Sequence, residues 1–158
     1  MTRRLRPSRP VDLDFLASAP LRLVFAADVA APPDAVHAAL AKDTEGWTSW
    51  FGAVTAAVPT GTGRAITLRG GVRFEETVLA DEPPRRFAYR VDATNAPGLR
   101  ALLEEWELSP TPAFGTRVRW TFAADGSSAL RNVLLLARPG LGVSFRSALR
   151  ALDRRLAA

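Results

Sequence analysis

Residues 71–91 read GVRFEETVLADEPPRRFAYRV, and the alternation in this stretch decides the fold. Val72, Phe74, Glu76 and Val78 fall on one side of an extended chain, and Phe87, Tyr89 and Val91 on one side of the next. A period of two is the mark of a strand with one face turned to the core. Asp81-Glu82-Pro83-Pro84 breaks the run between them. A loop that short joins antiparallel neighbours, because a parallel pair needs a long crossover.

The same period extends outward from this hairpin. Candidate strands cover 53–59, 64–69, 72–80, 85–93, 101–109 and 116–124. Gly61-Thr62-Gly63 and Gly70-Gly71 supply tight turns, while Asn95-Ala96-Pro97-Gly98 and Pro110-Thr111-Pro112 supply longer loops. Upstream, 21–30 alternates as a first strand. Pro33 and Asp34 then open a helix with Val36, Ala39 and Leu40 on one face. A second short helix follows, where Trp47, Trp50 and Phe51 fall at i, i+3, i+4 and Gly52 closes it. Downstream, Leu141, Phe145, Ala148, Leu149, Leu152 and Leu156 form the apolar face of a long helix, opposite a stripe of Arg146, Arg150 and Arg154. The apolar stretch 128–137 predicts a shorter helix before it, with a break at Pro139-Gly140.

The resulting expectation is an α+β fold. A seven-stranded curved antiparallel sheet grips a long C-terminal helix, with two short helices between strands one and two. One helix, about 10–12 Å wide with its side chains, cannot fill the hollow of such a sheet. A cavity is therefore expected between them. Residues 21–158 make a single domain, and 1–20 a basic tail, expected to be flexible, and a short arm.

Composition narrows the function classes. The 158 residues contain no cysteine and one histidine. Disulfides and thiolate chemistry are excluded, and a metal site or a bound cofactor is not expected. The longest aliphatic run, Val133–Ala137, is far short of the ~20 residues of a membrane span, so no integral membrane association is expected, and the cytoplasm is the expected location. The net charge of +5 is unevenly spread. Residues 1–10 carry +4, 127–158 carry +5 and the middle −4. The aromatics lie in the acidic middle rather than among the arginines, which argues against nucleic acid as a partner. The arginine stripe reads as a solvated helix face, and a monomer or homodimer is expected.

The candidate site follows from strand parity. Leu102, Glu104, Trp106 and Leu108 share a face, as do Val118, Trp120, Phe122 and Ala124. Glu76 and Glu104 thus ride on apolar faces. An inward carboxylate has a raised pKa and suits a general acid or base, or an anchor for a polar ligand group; a position at the rim, or a pairing with an inward arginine, is the plain alternative. Tyr89, the one tyrosine, is the candidate hydroxyl. Trp47, Trp50, Phe51, Phe74, Phe87, Trp106, Trp120 and Phe122, with Leu141 and Phe145 of the helix, are the candidate walls, and Leu134–Leu136 a candidate lid. His37 is expected at the surface, on the flank of its helix.

The order of elements resembles the START-related superfamily of lipid-transfer domains, pollen-allergen-like proteins and polyketide cyclases. Ala31-Pro32-Pro33-Asp34-Ala35-Val36 resembles its entry to the first helix, and Trp47 and Trp50 the tryptophans that often follow. Gly71–Val91 resembles its central hairpin, and WELSP…GTRVRW (Trp106–Trp120) the next pair. The resemblance covers about 21–157 and is nearest the polyketide cyclase/dehydrase-like branch. It implies a helix-grip fold and an internal pocket for a hydrophobic small molecule, lipid or polyketide-like. Three functions stay open: a binding module, a cyclase or dehydratase using a pocket carboxylate, and a protein-interaction factor with no pocket.

Overall fold

The computed structural model describes residues 3–158. Its elements run β1 (Arg6–Pro7), α1 (Phe15–Ser18), β2 (Leu21–Val29), α2 (Pro33–Ala41), α3 (Trp47–Trp50), β3 (Val54–Pro59), β4 (Gly63–Leu68), β5 (Arg73–Glu82), β6 (Arg86–Thr94), β7 (Leu99–Pro110), β8 (Thr116–Gly126) and α4 (Ser128–Ala157). The alternation over 53–125 becomes an antiparallel meander, and β2 returns to pair with β8, giving the order β2-β8-β7-β6-β5-β4-β3. This is the α+β helix-grip architecture.

The turns carry the chemistry their sequence promised. Gly70 and Gly71 hold φ of +94° and +91° between β4 and β5, a region that L side chains avoid. Register slips by one residue between Glu75 and Glu76 and again between Val78 and Ala80, where β5 faces β6. Such bulges bend a strand and increase its twist, which curls the sheet around α4.

One apolar face of the sheet meets α4. Phe145, Ala148, Leu149 and Leu152 are buried against it, with α2 and α3 closing the end of the hollow. Asp153 fixes the helix in place: its carboxylate accepts from the backbone N–H of Ala30 and Ala31, both at 2.9 Å. Arg155 reaches Asp43 at 3.0 Å, just before α3. The opposite face carries a smaller cluster in which Val11 and Phe15 cover Ala101, Leu103 and Ala123. The central strand β7 is consequently buried on both sides over most of its length.

Three expectations are corrected. The break at Pro139-Gly140 is absent, and α4 is one helix of 30 residues. The buried stripe of its C-terminal half continues through the proline: Leu130, Leu134 and Leu141 keep the same spacing and still face the sheet. Pro139 is exposed, and so is Leu135, four residues before it, whose carbonyl loses its helical partner. The basic tail is not free over its described part. β6 and β7 pair only as far as Arg90 and Leu103, and beyond that point they splay. Arg6 and Pro7 fill the gap by pairing with Thr94 and Ala93, and the Ser8 and Arg9 N–H groups donate to Asp92 and Arg100. Met1 and Thr2 lie outside the described residues. His37 is buried rather than at the surface, because both flanks of α2 are covered; its Nε2 lies 2.9 Å from Asp81 Oδ1.

Candidate functional site

The hollow between the sheet and α4 keeps a cavity of about 240 Å³. Inward-facing positions of β4 to β8 supply its floor, α3 one wall, and Leu130, Leu134, Leu141 and Ser144 of α4 its roof. The parity of the strands puts the side chains there: Phe74 and Glu76 from β5, Tyr89 from β6, Glu104 and Trp106 from β7, Trp120 and Phe122 from β8.

Most of the lining is apolar and aromatic. Trp106 and Trp120 stack with ring centroids 5.4 Å apart and planes 16° from parallel. Trp47 meets Trp106 edge-on at 5.6 Å. Each of these three indoles finds an acceptor. Trp47 Nε1 donates to the Leu40 carbonyl, Trp106 Nε1 to the Tyr89 hydroxyl at 3.2 Å, and Trp120 Nε1 to Glu104 Oε1 at 2.9 Å.

The polar groups converge on one buried cluster. Arg64, on β4, is 3% exposed and its Nε donates to Glu76 Oε1 at 2.6 Å. Its guanidinium carbon lies 4.2 Å from the Trp47 ring centre and 4.3 Å from that of Tyr89, so cation–π attraction replaces part of the lost hydration. Gly63 makes this contact possible, since a Cβ there would stand 2.0 Å from the Glu76 carbonyl oxygen and push β4 off β5. Arg64 Nη1 is buried and has no hydrogen-bond partner among the described residues.

Burial dominates the ionisation of this cluster. It lifts Glu104 from 4.5 to about 8; the Glu76 charge adds to the rise, while Arg64, the Trp120 indole and Tyr89 hold it back. Burial also raises Glu76, against the pull of Arg64 in contact with it. Burial is the largest single influence on Arg64 and would lower it, but Glu76, Tyr89 and Glu104 together outweigh it and keep the guanidinium charged. Tyr89 is pushed well up, by burial first and by Glu104 second, and stays a phenol.

Ten of the thirteen candidate residues line the cavity: Trp47, Phe51, Phe74, Glu76, Tyr89, Glu104, Trp106, Trp120, Phe122 and Leu141. The other three do not. Trp50 packs against Trp47 with centroids 4.6 Å apart, and Phe145 packs against both Trp106 and Trp120 at 6.0 and 5.8 Å. Phe87 lies buried beside Tyr89 and Arg64, away from the opening. In the lid stretch Leu134 faces inward, while Leu136 is 84% exposed. Arg64 was missed, although the alternation that points Ile66 and Leu68 inward places it on the same face. A wider groove on the outer face of the sheet is lined by charges that pair among themselves, such as Arg86 with Glu105 and Arg119 with Glu107.

The family model described as polyketide cyclase / dehydrase and lipid transport matches residues 21–157. The chain belongs to this family. Its relatives include a protein of Mycobacterium tuberculosis, named only as uncharacterized, that is 30% identical over 155 residues, spanning 94% of this chain and 92% of its own. Among solved structures, the Zhui aromatase/cyclase from Streptomyces sp. R1128 superposes with a TM-score of 0.72 at 17% identity, covering 86% of this chain and 95% of that one. A START superfamily protein from Mycobacterium smegmatis gives 0.67 at 11% identity, covering 86% and 97%. At such identities the likeness is one of fold. Within the polyketide cyclase/dehydrase and lipid transport family, this member carries the Arg64–Glu76 pair and Glu104 at the base of an aromatic cavity. No helix among the described residues is long and apolar enough to cross a membrane.

Proposed function

We propose that the protein binds a compact apolar or aromatic molecule between its sheet and α4. The observation that carries this reading is an interior cavity walled by stacked indoles and aliphatic side chains, with its few polar groups gathered at one place. Sites for drug-sized ligands hold roughly 300–1,000 Å³. The 240 Å³ here therefore favours a body of one or two rings or a short chain. Burying about 200 Å² of such a body is worth roughly 5 kcal/mol before the cost of association, so the polar cluster has to contribute for binding to be tight. The protein-interaction reading would be favoured by a collapsed interior, and a cavity of this size supports the binding reading instead.

Calorimetric titration with ethylnaphthalene tests the proposal. The wild type is expected to bind it, and Ser144→Phe, which fills the roof from α4, to lose at least about tenfold in affinity while its melting temperature holds. Equal affinities would remove the cavity as the binding place. Native mass spectrometry of protein purified from its own host would identify the natural occupant.

A cyclase or dehydratase is the second reading, and Glu104 is the observation that favours it. A carboxyl with a pKa of about 8 keeps its proton at neutral pH and can exchange it within the cavity. Carbon-13 NMR titration of its side chain checks this directly. An ordinary value near 4.3 would leave the enzyme reading without its acid.

A further inference from the structure

The cavity's polar end has a definite valence. Arg64 is buried and positively charged, and its charge is matched by Glu76 in contact with it. Yet Nη1 has no acceptor among the described residues. A buried donor left in this condition is uncommon, and supplying an acceptor to it is favourable. On β7, Glu104 lines the same cavity, with its Oε1 taken by the Trp120 indole and Tyr89 beside its carboxyl.

Resting on the small-molecule reading above, we infer that the site selects ligands whose inner end is an uncharged oxygen acceptor (a ketone, ester or amide carbonyl), received by Arg64 Nη1, and rejects anionic and cationic heads of the same shape. The titratable and charged residues lining the cavity are Arg64 from β4, Glu76 from β5, Tyr89 from β6 and Glu104 from β7; the residues lining it from α3 and α4 carry no charge. With Arg64 and Glu76 ionised and Glu104 and Tyr89 protonated, these four sum to zero. An added carboxylate would sit beside Glu76 with no free counter-charge. An ammonium would face the Arg64 charge. A carbonyl oxygen takes the spare N–H and adds no charge to a balanced cluster. A hydrogen bond from a charged donor is expected to be worth about tenfold to a hundredfold in affinity over a hydrocarbon of equal shape.

Four probes of one shape test this by calorimetry at pH 6.5: methyl naphthyl ketone, ethylnaphthalene, naphthoate and naphthylmethylamine. The ketone is expected to bind at least about tenfold tighter than ethylnaphthalene, and the two ions no tighter than the hydrocarbon. Raising the wild type to pH 9 ionises Glu104 and is expected to shrink the ketone preference without touching ethylnaphthalene. Arg64→Met/Glu76→Leu, which replaces the pair by apolar groups, is expected to abolish the preference for the ketone over ethylnaphthalene. Equal binding of ketone and hydrocarbon, or naphthoate binding tightest, would overturn the inference and leave the small-molecule reading standing. If no probe bound, that reading would fall, and this inference with it.

Discussion

Glu104 shows at the scale of one residue how placement becomes chemistry. Its strand parity turns it inward, burial strips its water, and the proton then stays on to about pH 8. The folded state therefore holds a proton that the unfolded chain releases near 4.5, so stability should fall as pH rises between those values. The slope from this one group is up to about 1.4 kcal/mol per pH unit. Glu104→Gln removes the titrating group and is expected to flatten most of that slope, which denaturant melts at pH 5, 7 and 9 would show. Arg64 makes the complementary case. Arg64→Met leaves Glu76 buried without its partner and should cost about 3–5 kcal/mol, whereas Arg64→Met/Glu76→Leu should recover most of the loss. Equal melting temperatures for the single and double variants would contradict the pairing.

At the scale of elements, α4 departs furthest from expectation. A proline inside a helix removes one hydrogen bond and costs roughly 3 kcal/mol relative to alanine. The helix persists because Leu134 and Leu141, seven residues apart, keep one face on the sheet across it. Pro139→Ala should then raise stability, by up to about 3 kcal/mol, with ligand affinity unchanged; a loss of stability would mean that the sheet needs the proline's local geometry. The same comparison shows what a sequence yields. Alternation predicted the six strands of the meander, their order and the inward face of four of them, since each strand carries its own record of which side is buried. It could not separate Trp47 from Trp50, or Trp120 from Phe145, as cavity wall and backing. Both members of each pair are buried and apolar, and only the third dimension decides which ring stands in front. Arg64 was legible by the parity of Ile66 and Leu68, but a charged residue next to a turn reads first as surface. The Arg6–Arg9 segment was illegible because its pairing depends on a gap between β6 and β7 that no local pattern announces.

For the whole molecule, the cavity couples occupancy to stability. A ligand present at a hundred times its dissociation constant adds about 2.7 kcal/mol to the folded state. In a chain of this size that should raise the melting temperature by roughly 5–10 °C. The shift should be absent in Ser144→Phe, and a shift of equal size there would place the ligand elsewhere.

The crowding of indoles around the hollow has an optical consequence. Trp47, Trp106 and Trp120 face the cavity and Trp50 rests on Trp47, so all four tryptophans of the chain belong to one assembly. Two of them lie nearly parallel at 5.4 Å, close enough for their electronic transitions to mix. The near-ultraviolet dichroism and emission of the protein therefore arise almost entirely from the wall of its binding chamber, and an entering guest is announced by the protein's own light, with no label attached.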